Sequence, residues 1–278
     1  MDKNKQRIQK SFIYLLLIGF SVLFIFPFIW MVGTSLTSSG MVLDRARPII
    51  PLHPVWGNYI EALTVLPFGI FLKNTLLISV MCVIGQTLSA SLVAFAFARL
   101  KFPGRDALFV LVLSTMMLPP QVTMIPTFIM FTIPGWIDSL KPLIIPAFFG
   151  GGAFFIFLLR QFFLTIPAEL EDAARIDGCS SFGIYRHVIM PLSKPALTAV
   201  ALFSFIGHWN DFLGPLIYTQ SMDKKTLALG LNAFKGLHGT EYNLMMAASV
   251  AVLIPIIVIF FFSQKYFVEG VVTSGVKG

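Results

Sequence analysis

The sequence predicts an all-α membrane protein with six transmembrane helices, on the basis of its composition, the length of its apolar segments and the placement of its basic residues. Of 278 residues, 56% are hydrophobic, 12% are charged and 29 are Phe. An ordinary globular domain carries about 25% charged residues. A helix needs about 20 apolar residues to cross the hydrocarbon core, and only helices or closed barrels satisfy their backbone groups there. The chain is therefore expected to fold in lipid.

Six segments meet or approach the length of a membrane span. They are predicted at residues 12–32, 75–98, 107–131, 142–160, 195–219 and 242–264. The first two contain no charged residue, the third is interrupted by prolines, and the fifth contains a single charge, Asp211. Because no low-complexity tract or Ser/Gly linker separates a soluble domain, residues 1–278 are expected to form a single membrane domain.

The distribution of basic residues predicts the orientation of the chain. Lys and Arg beside short spans are retained in the cytoplasm, and an even number of spans puts both termini on one side. If that side is the cytoplasm, the inner segments hold thirteen of the 20 Lys and Arg residues and the outer segments hold seven. Both termini are therefore predicted to be cytoplasmic, in a plasma membrane. This placement also accounts for the net charge of +7 without a nucleic-acid partner,.

The segment between the predicted fourth and fifth spans, residues 161–194, has the signals of two short helices around a glycine. Pro167 suits the first turn of a helix, and an acidic group then follows near the positive end of the helix dipole. The acidic residues are Glu169, Glu171 and Asp172. Gly178 is expected to end this helix in the left-handed conformation, which is cheapest without a Cβ atom.

The second helix of this segment has its own start and stop signals. Ser180 or Ser181 can cap its N-terminus, and Pro191 is expected to end it. In the first helix, small Ala173 and Ala174 would let another protein approach closely. Local chemistry leaves two possibilities open: a lever held between two spans, or an amphipathic connector that lies on the membrane surface.

Residues 171–178, with Ile189 and Pro191 downstream, resemble the Glu-Ala-Ala signature of ABC importer permeases. Counting back from Gly178 places the glutamate of the signature at Asp172 and its alanines at Ala173 and Ala174. The shorter Asp keeps the charge, and neighbouring Glu171 could substitute for a longer reach. Met190-Pro191 stands in place of Leu-Pro and is the firmer downstream anchor, because ten residues rather than nine separate Gly178 from Ile189.

Further motifs resemble the carbohydrate-uptake permeases, in particular the second maltose-type permease subunit. They are Trp209–Phe212, Lys225–Leu227, Ala247–Ala248, Tyr266–Gly270 and Gly275–Gly278. The resemblance implies a heterodimer with a second permease, two cytoplasmic ATPases, an extracellular or periplasmic solute-binding protein and a carbohydrate substrate. It also implies that segment 161–194 is a cytoplasmic coupling loop that docks on the ATPase. The ATPase-coupling residues so implied are Glu171, Asp172, Ala173, Ala174, Arg175, Asp177 and Gly178.

No catalytic residue, metal site or cofactor is expected in this chain. A Gly-x-x-x-x-Gly-Lys-Ser/Thr phosphate loop is missing, so ATP and Mg are expected to bind to the partner ATPase. The four histidines are scattered without the spacing of a metal site or a hydrolytic triad. They are His53, His187, His208 and His238.

Polar residues inside a span are costly and usually face protein or water. Four residues of the fifth span are therefore candidates for the substrate path, as is Gln86 of the second span. The four are His208, Trp209, Asn210 and Asp211. Planar polar groups and an aromatic face suit a sugar, but contacts with neighbouring helices explain the same residues equally well.

The predicted outer segment Tyr218–Glu241 is expected to contact the binding protein, with a solvated connector as the alternative. The expectation depends on its apolar residues, which are Leu227, Leu229, Leu231 and Phe234.

Two other kinds of transporter remain as alternatives. One is an importer of glycerol phosphate or a polyol derivative. The other is an ion-coupled secondary transporter, which would need ionisable groups deep in several spans, whereas Asp211 is nearly alone.

Overall fold

The computed structural model describes residues 3–236 and 239–275, and in that part the chain is mostly helical. Met1, Asp2, Leu237, His238 and Val276–Gly278 lie outside the described residues, so the predictions made for His238 and for the end of the chain are not addressed. The α-helices are α1 (Lys3–Ser35), α2 (Gly57–Thr64), α3 (Phe68–Arg99), α4 (Arg105–Ser114), α5 (Pro120–Thr132), α6 (Lys141–Ile144), α7 (Ala153–Leu164), α8 (Glu169–Ile176), α9 (Ser181–Ile184), α10 (Met190–Leu192), α11 (Lys194–Trp209), α12 (Leu213–Tyr218), α13 (Leu227–Asn232) and α14 (Tyr242–Gly275).

Shorter elements connect these helices. Within residues 3–236 and 239–275 they are the 3₁₀ turns Ser39–Met41, Thr115–Met117, Ile145–Phe148 and Met222–Lys224 and the π-helical turn Tyr185–Ile189. Strands β1 (Lys235–Gly236) and β2 (Gly239–Thr240) form a small antiparallel pair, with Lys235 opposite Thr240.

Among the described residues, four helical stretches are long and apolar enough to cross a membrane, and two bent pairs raise the number to six if each pair is one span. The four are Gln9–Ser35, Phe68–Arg99, Lys141–Leu164 and Tyr242–Phe262. The pairs are Arg105–Met117 with Pro120–Thr132, bent by 99°, and Ser181–Leu192 with Lys194–Trp209, bent by 79°. The described part of the chain thus holds four to six candidate spans, and the count of six stays a prediction.

The first bend lies where the sequence predicts an interrupted third span. Leu118 and Pro119 leave the helical region, with ψ of 118° and 135°, because a residue that precedes proline is pushed towards the extended region. Pro120 then begins α5, where its fixed φ and missing N–H cost nothing. The predicted span 107–131 therefore consists of two helices.

The fifth predicted span, 195–219, is also divided. Helix α11 ends at Trp209, and α12 begins only at Leu213. Asn210 and Asp211 occupy the break, and both supply side-chain hydrogen bonds to nearby backbone groups. Such local bonds compete with the helical ladder.

The described residues of Met1–Phe68 and Gly230–Pro255 form one compact unit. Within it, Asn58 Nδ2 donates to the carbonyl oxygens of Ser35 at 2.8 Å and Thr37 at 2.9 Å. Arg47 donates to the hydroxyl groups of Thr34 and Thr37. These bonds fasten the segment after α1 to the end of that helix. The prediction of one domain over the whole chain stays a prediction.

The other compact unit comprises Gly69–Leu229 and the described residues from Ile256 onward. Its apolar core lies where α3, α7, α9 and α11 meet. Side chains in this core with at most 1% exposure are Ala90, Ala94, Leu159, Phe163, Ile184, Ile189 and Val200. This core carries the segment between α7 and α11 that the sequence singles out.

Glycines permit the close approach of α7 to α3. Gly150, Gly151 and Gly152 have φ angles of 90°, 66° and 94°, a region that side chains disfavour. A Cβ atom on Gly151 would lie 2.6 Å from both the Cβ atom of Ala90 and the carbonyl oxygen of Gln86. Of the three, Gly151 is the residue whose missing Cβ atom permits this close approach to α3.

Candidate functional site

Helix α8 begins two residues later than the sequence predicts. The carbonyl oxygen of Ala168 accepts from the N–H groups of Glu171 at 2.9 Å and Asp172 at 3.1 Å. The first helical residue is Glu169, so Pro167 precedes the helix. Three acidic residues still occupy the first turn, where the helix dipole favours them.

Gly178 ends α8 as predicted. Its φ is +82°, and its N–H donates to the carbonyl oxygen of Arg175 at 3.0 Å. The next N–H, of Cys179, donates to the carbonyl oxygen of Ala174 at 2.9 Å. This pair of bonds is the Schellman motif, which satisfies the last carbonyl groups of a helix.

The second helix of the segment is capped as predicted but ends later. Ser180 Oγ accepts from the N–H of Gly183 at 3.2 Å. The helical path then runs to Leu192, one residue past Pro191, through a π turn in which Met190 N–H bonds to the carbonyl oxygen of Tyr185. Proline lacks an N–H and clashes with the carbonyl group four residues earlier, and the wider π turn accommodates it.

Most of the predicted coupling residues lie on the surface of this segment. Asp172, Ala173, Arg175, Asp177 and Gly178 are exposed, and Ala174 is half-buried.

Two apolar residues that sequence reasoning missed share this surface. Leu170 is 45% exposed and Ile176 is 86% exposed. Together with Ala173 they recur every three residues, so they lie along one side of α8. This three-residue spacing is the signal in the sequence that could have revealed them. We call Leu170, Asp172, Ala173 and Ile176 the α8 surface.

Glu171 does not share this surface. It is buried, and its Oε1 lies 2.8 Å from Nε of Arg99 at the end of α3. The family resemblance implied that Glu171 contacts the ATPase. In the structure Glu171 is paired within its own chain and Arg175 is exposed.

Arg99 also contacts the end of α7. Its Nη2 donates to the carbonyl oxygens of Phe163 at 2.5 Å and Ile166 at 2.6 Å. In the opposite direction, Arg160 Nε donates to the carbonyl oxygen of Phe97 at 3.3 Å. The sequence had marked both arginines only as basic residues beside spans.

Two of the four candidate path residues belong to α11. Trp209 is 1% exposed and stacks on Phe205, with ring centres 5.2 Å apart. His208 is half-buried. Trp209 thus packs in the interior, which fits the helix-contact alternative for this residue.

Asn210 and Asp211 are more open. Asn210 is exposed, and its Nδ2 donates to the carbonyl oxygen of Ile206 at 2.9 Å. Asp211 is half-buried, and its Oδ1 accepts from the N–H of Gly214 at 3.0 Å. Gln86 is half-buried, and its Oε1 has no hydrogen-bond partner within the described part of the chain. These polar groups keep free hydrogen-bonding capacity.

Asp138 organises the segment after α12, and sequence reasoning missed it. Its carboxylate accepts from the N–H groups of Gln220 and Ser221, each at 2.8 Å, and from the Ser221 hydroxyl. These bonds, led by that of the Ser221 hydroxyl, lower the pKa of Asp138 to about 2. Asp138 has a φ of 57°, a conformation that Asp tolerates better than most residues.

Residues at the start of α3 hold the same segment farther along. Asn74 Nδ2 donates to the carbonyl oxygens of Asp223 at 2.8 Å and Lys225 at 2.9 Å. Thr75 Oγ1 accepts from the N–H of Leu227 at 3.0 Å. Segment 219–227 is therefore fixed by side chains of this chain.

The apolar residues used to predict a contact with a binding protein are mostly buried. Leu227, Leu229 and Phe234 are buried, and Leu231 is half-buried. Phe234 stacks on Phe68, with ring centres 5.9 Å apart. Packing within the chain accounts for their apolar character, so it no longer supports an external contact.

The chain is similar to known transport proteins over nearly its whole length. A family model described as binding-protein-dependent transport system inner membrane component matches residues 86–273. The arabinooligosaccharides transport system permease protein AraQ of Halalkalibacterium halodurans is 33% identical over 99% of this chain and 100% of its own. The sn-glycerol-3-phosphate transport system permease protein UgpE of Yersinia pestis is 32% identical over 99% of both chains.

A solved structure shares the fold. One chain of a bacterial ABC transporter involved in the import of the acidic polysaccharide alginate superposes with a TM-score of 0.83. It is 25% identical, and the match covers 96% of this chain and 99% of that chain.

Proposed function

Because this chain belongs to the family of binding-protein-dependent transport system inner membrane components, we propose that it is the permease subunit of an ABC importer that moves a carbohydrate across the plasma membrane. ATP hydrolysis by a separate partner ATPase, which binds ATP and Mg, drives the transport. This chain forms part of the pore and carries no catalytic residue.

The observation that carries the proposal is the α8 surface. Asp172, Ala173 and Ile176 are exposed, while the turn between α8 and α9 is fixed by caps at Gly178 and Ser180. An exposed apolar side chain beside small and acidic residues suits a protein partner. In the proposed arrangement this surface is cytoplasmic and docks on the ATPase, with Arg175 and Asp177 at its edge.

The arrangement of the spans in the membrane follows from the cytoplasmic position of the α8 surface. The bent pair of α4 and α5 counts as one span and α11 with α12 counts as another, which gives six spans and puts both termini in the cytoplasm. A second permease subunit completes the pore, two ATPase subunits bind below it, and a solute-binding protein delivers the substrate from outside.

A neutral carbohydrate is favoured over glycerol phosphate by the charges near the candidate path. AraQ is named for arabinooligosaccharides and UgpE for sn-glycerol-3-phosphate, so relatives alone leave both substrates open. Between Lys194 and Lys224 the sequence has no Lys or Arg, while it has Asp211. A phosphate group would need a cation there.

Asn210, Asp211 and His208 are the polar groups proposed to face the substrate path, with Gln86 on α3. Trp209 is proposed to support them from the interior rather than to contact the sugar, because it is 1% exposed and stacked on Phe205.

Affinity purification of the tagged chain from its native membrane in mild detergent tests the proposal. We expect a second permease and an ATPase to co-purify with the wild type, and Asp172→Lys to lose the ATPase alone, because the reversed charge lies on the α8 surface. The matched control is Glu61→Lys, which reverses an exposed charge on α2. Mass spectrometry identifies the partners.

The purified complex in lipid vesicles then distinguishes the substrates. With the binding protein present, arabinooligosaccharides or a related sugar should stimulate ATP hydrolysis, and sn-glycerol 3-phosphate should not. Stimulation by sn-glycerol 3-phosphate alone would replace the carbohydrate with the alternative substrate. Transport without any ATPase would contradict the proposal and favour an ion-coupled secondary transporter.

A further inference from the structure

Helix α8 is fastened to its own chain at its first turn. Arg99 Nε and Glu171 Oε1 lie 2.8 Å apart in an ion pair that lacks the angle of a hydrogen bond, and the two side chains are only 10% and 7% exposed. Arg99 is the last residue of α3. Solvent and salt screen such a buried pair weakly, and removing one partner leaves an uncompensated charge. The contact therefore holds the start of α8 to the end of α3.

The same guanidinium also holds the end of α7. Its Nη2 donates to the carbonyl oxygens of Phe163 and Ile166, which belong to the last turn of α7 and the residues after it. The carbonyl oxygen of Phe163 also accepts from the N–H of Ile166 at 3.1 Å, and Arg99 uses further accepting capacity that a helix end leaves available. The planar fork of Arg provides several donors at once, so Arg99 joins the ends of α3 and α7 to α8.

Two further contacts attach neighbouring parts to α3. Arg160 of α7 donates to the carbonyl oxygen of Phe97. The hydroxyl group of Tyr185, in the π turn, forms a hydrogen bond of 2.8 Å with the hydroxyl of Ser91 on α3. Ser91 and Arg99 are separated by eight residues, about 12 Å along a helix. The segment that carries the α8 surface is thus bonded to α3 at two levels.

We propose that Arg99 is a positioning residue for energy coupling, which makes α8, α3 and the end of α7 move as one body through Glu171 and the two carbonyl groups. A displacement of α8 by the ATPase then reaches α3 without a flexible joint. This inference rests on the proposed function and deepens it, because it assigns the transmission of the ATPase's motion to a contact inside the chain. The ATPase binds to the α8 surface, while Glu171 and Arg99 transmit its motion to α3.

Glu171→Gln in the complete importer, reconstituted in lipid vesicles, tests the inference. The substitution keeps the size of the side chain and removes its charge. We expect the number of sugar molecules transported per ATP hydrolysed to fall by about fivefold, while the amount of ATPase in the purified complex stays the same. A purely structural role would lower the yield of complex and leave this ratio unchanged.

Asp106→Asn is the matched control. Asp106 pairs with Arg105 at 3.0 Å but is 77% exposed, so water screens this pair. The control should keep the wild-type ratio of transport to hydrolysis. If Glu171→Gln also keeps it, the inference is wrong and the proposed function stands. If the wild type shows no sugar-dependent hydrolysis, the proposed function itself fails.

A double variant covers the case in which Glu171→Gln does not fold. Arg99→Gln combined with Glu171→Gln leaves no unpaired charge buried, and the new amide can still donate to one carbonyl group. We expect this variant to assemble and to show the same fall in the ratio. Wild-type coupling in the assembled double variant would overturn the inference.

A distance measurement tests whether α8 and α3 are rigidly connected in a chain that keeps both Arg99 and Glu171. Spin labels are placed on Cys179, exposed beside α8, and on Leu92→Cys, exposed on α3, in a chain that carries Cys82→Ser. Pulsed electron paramagnetic resonance should give the same separation in the nucleotide-free and ATP-bound complexes. A change of more than about 2 Å, the size of an ordinary helix shift, would show that α8 moves independently of α3.

Discussion

Asp138 illustrates how one side chain can organise a segment that lies far away in the sequence. Its partners Gln220 and Ser221 are 82 and 83 residues away. Nothing local in the sequence indicates this pairing, because Asp138 is simply one acidic residue between two apolar segments. Gly178 is the opposite case: its left-handed φ was predictable because a glycine follows an acidic, alanine-rich run, and such a cap depends on neighbouring residues only.

The low pKa of Asp138 predicts a pH dependence of stability. The pKa is about 2 in the folded chain and about 3.9 for an unperturbed Asp. A depressed pKa means that the carboxylate contributes stability above pH 3.9 and that this contribution is lost as the pH falls towards 2. We expect the detergent-solubilised wild type to lose more stability between pH 5 and pH 2 than Asp138→Asn.

Thermal unfolding of both proteins, followed by tryptophan fluorescence, measures this difference. Asn is the suitable replacement because it tolerates the φ of 57°,, so backbone strain does not obscure the result. Equal pH dependence in the two proteins would show that the carboxylate charge of Asp138 is not important for stability.

At the scale of elements, proline and glycine decide where the helices break and meet. The sequence predicted an interruption of the third span from its prolines, but it could not give the 99° bend, since direction depends on tertiary packing. The early end of α11 at Trp209 was not predicted. Composition alone does not distinguish a polar residue within a helix from one whose side chain bonds to the backbone.

The contact of Gly151 with α3 makes a prediction about this packing. Gly151→Ala combines an unfavourable φ of 66° with a Cβ atom 2.6 Å from Ala90. We expect a loss of about 3 kcal/mol in stability from strain and overpacking together. Fluorescence-detected size-exclusion chromatography and thermal unfolding measure the loss.

Gly150→Ala is the control, because its φ of 90° carries strain but no neighbouring atom of the described residues lies within 4 Å of its added Cβ. It should cost distinctly less than Gly151→Ala. If the two variants unfold alike, the close approach of α7 to α3 contributes little beyond backbone strain.

For the whole molecule, composition was enough to predict a helical membrane protein, and the segment from Glu171 to Pro191 was enough to suggest its family. The contacts that hold the candidate site were not predictable. In the sequence, Arg99 was only one of thirteen basic residues on the predicted inner side. Its pairing was not predictable, because it joins helix ends that are far apart in the chain. Leu227 and Phe234 were assigned to an external contact, since a sequence does not show which apolar residues are already buried.

Chemical labelling of the two cysteines can measure how the chain is oriented in the membrane. Cys179 is exposed and Cys82 is buried, so a maleimide that cannot cross membranes should label Cys179 alone. We expect labelling in inside-out vesicles and none in intact cells, because the loop between α7 and α11 is proposed to be cytoplasmic. Mass spectrometry after proteolysis locates the label.

Leu43→Cys in a Cys179→Ser chain provides the opposite control, since Leu43 is 78% exposed in the segment predicted to lie outside. It should be labelled in intact cells. Labelling of Cys179 from outside would reverse the proposed orientation and remove the ATPase from the α8 surface.

The bonds from Asp138, Asn74 and Thr75 to segment 219–227 have a consequence for recognition. Fixing the backbone of one residue costs about 1–2 kcal/mol of conformational entropy, and here that ordering occurs when the chain folds. A partner that binds this segment therefore meets a shape that already exists, and little of its binding energy is spent on ordering the loop. Rapid, reversible association can then be achieved with a small area of contact.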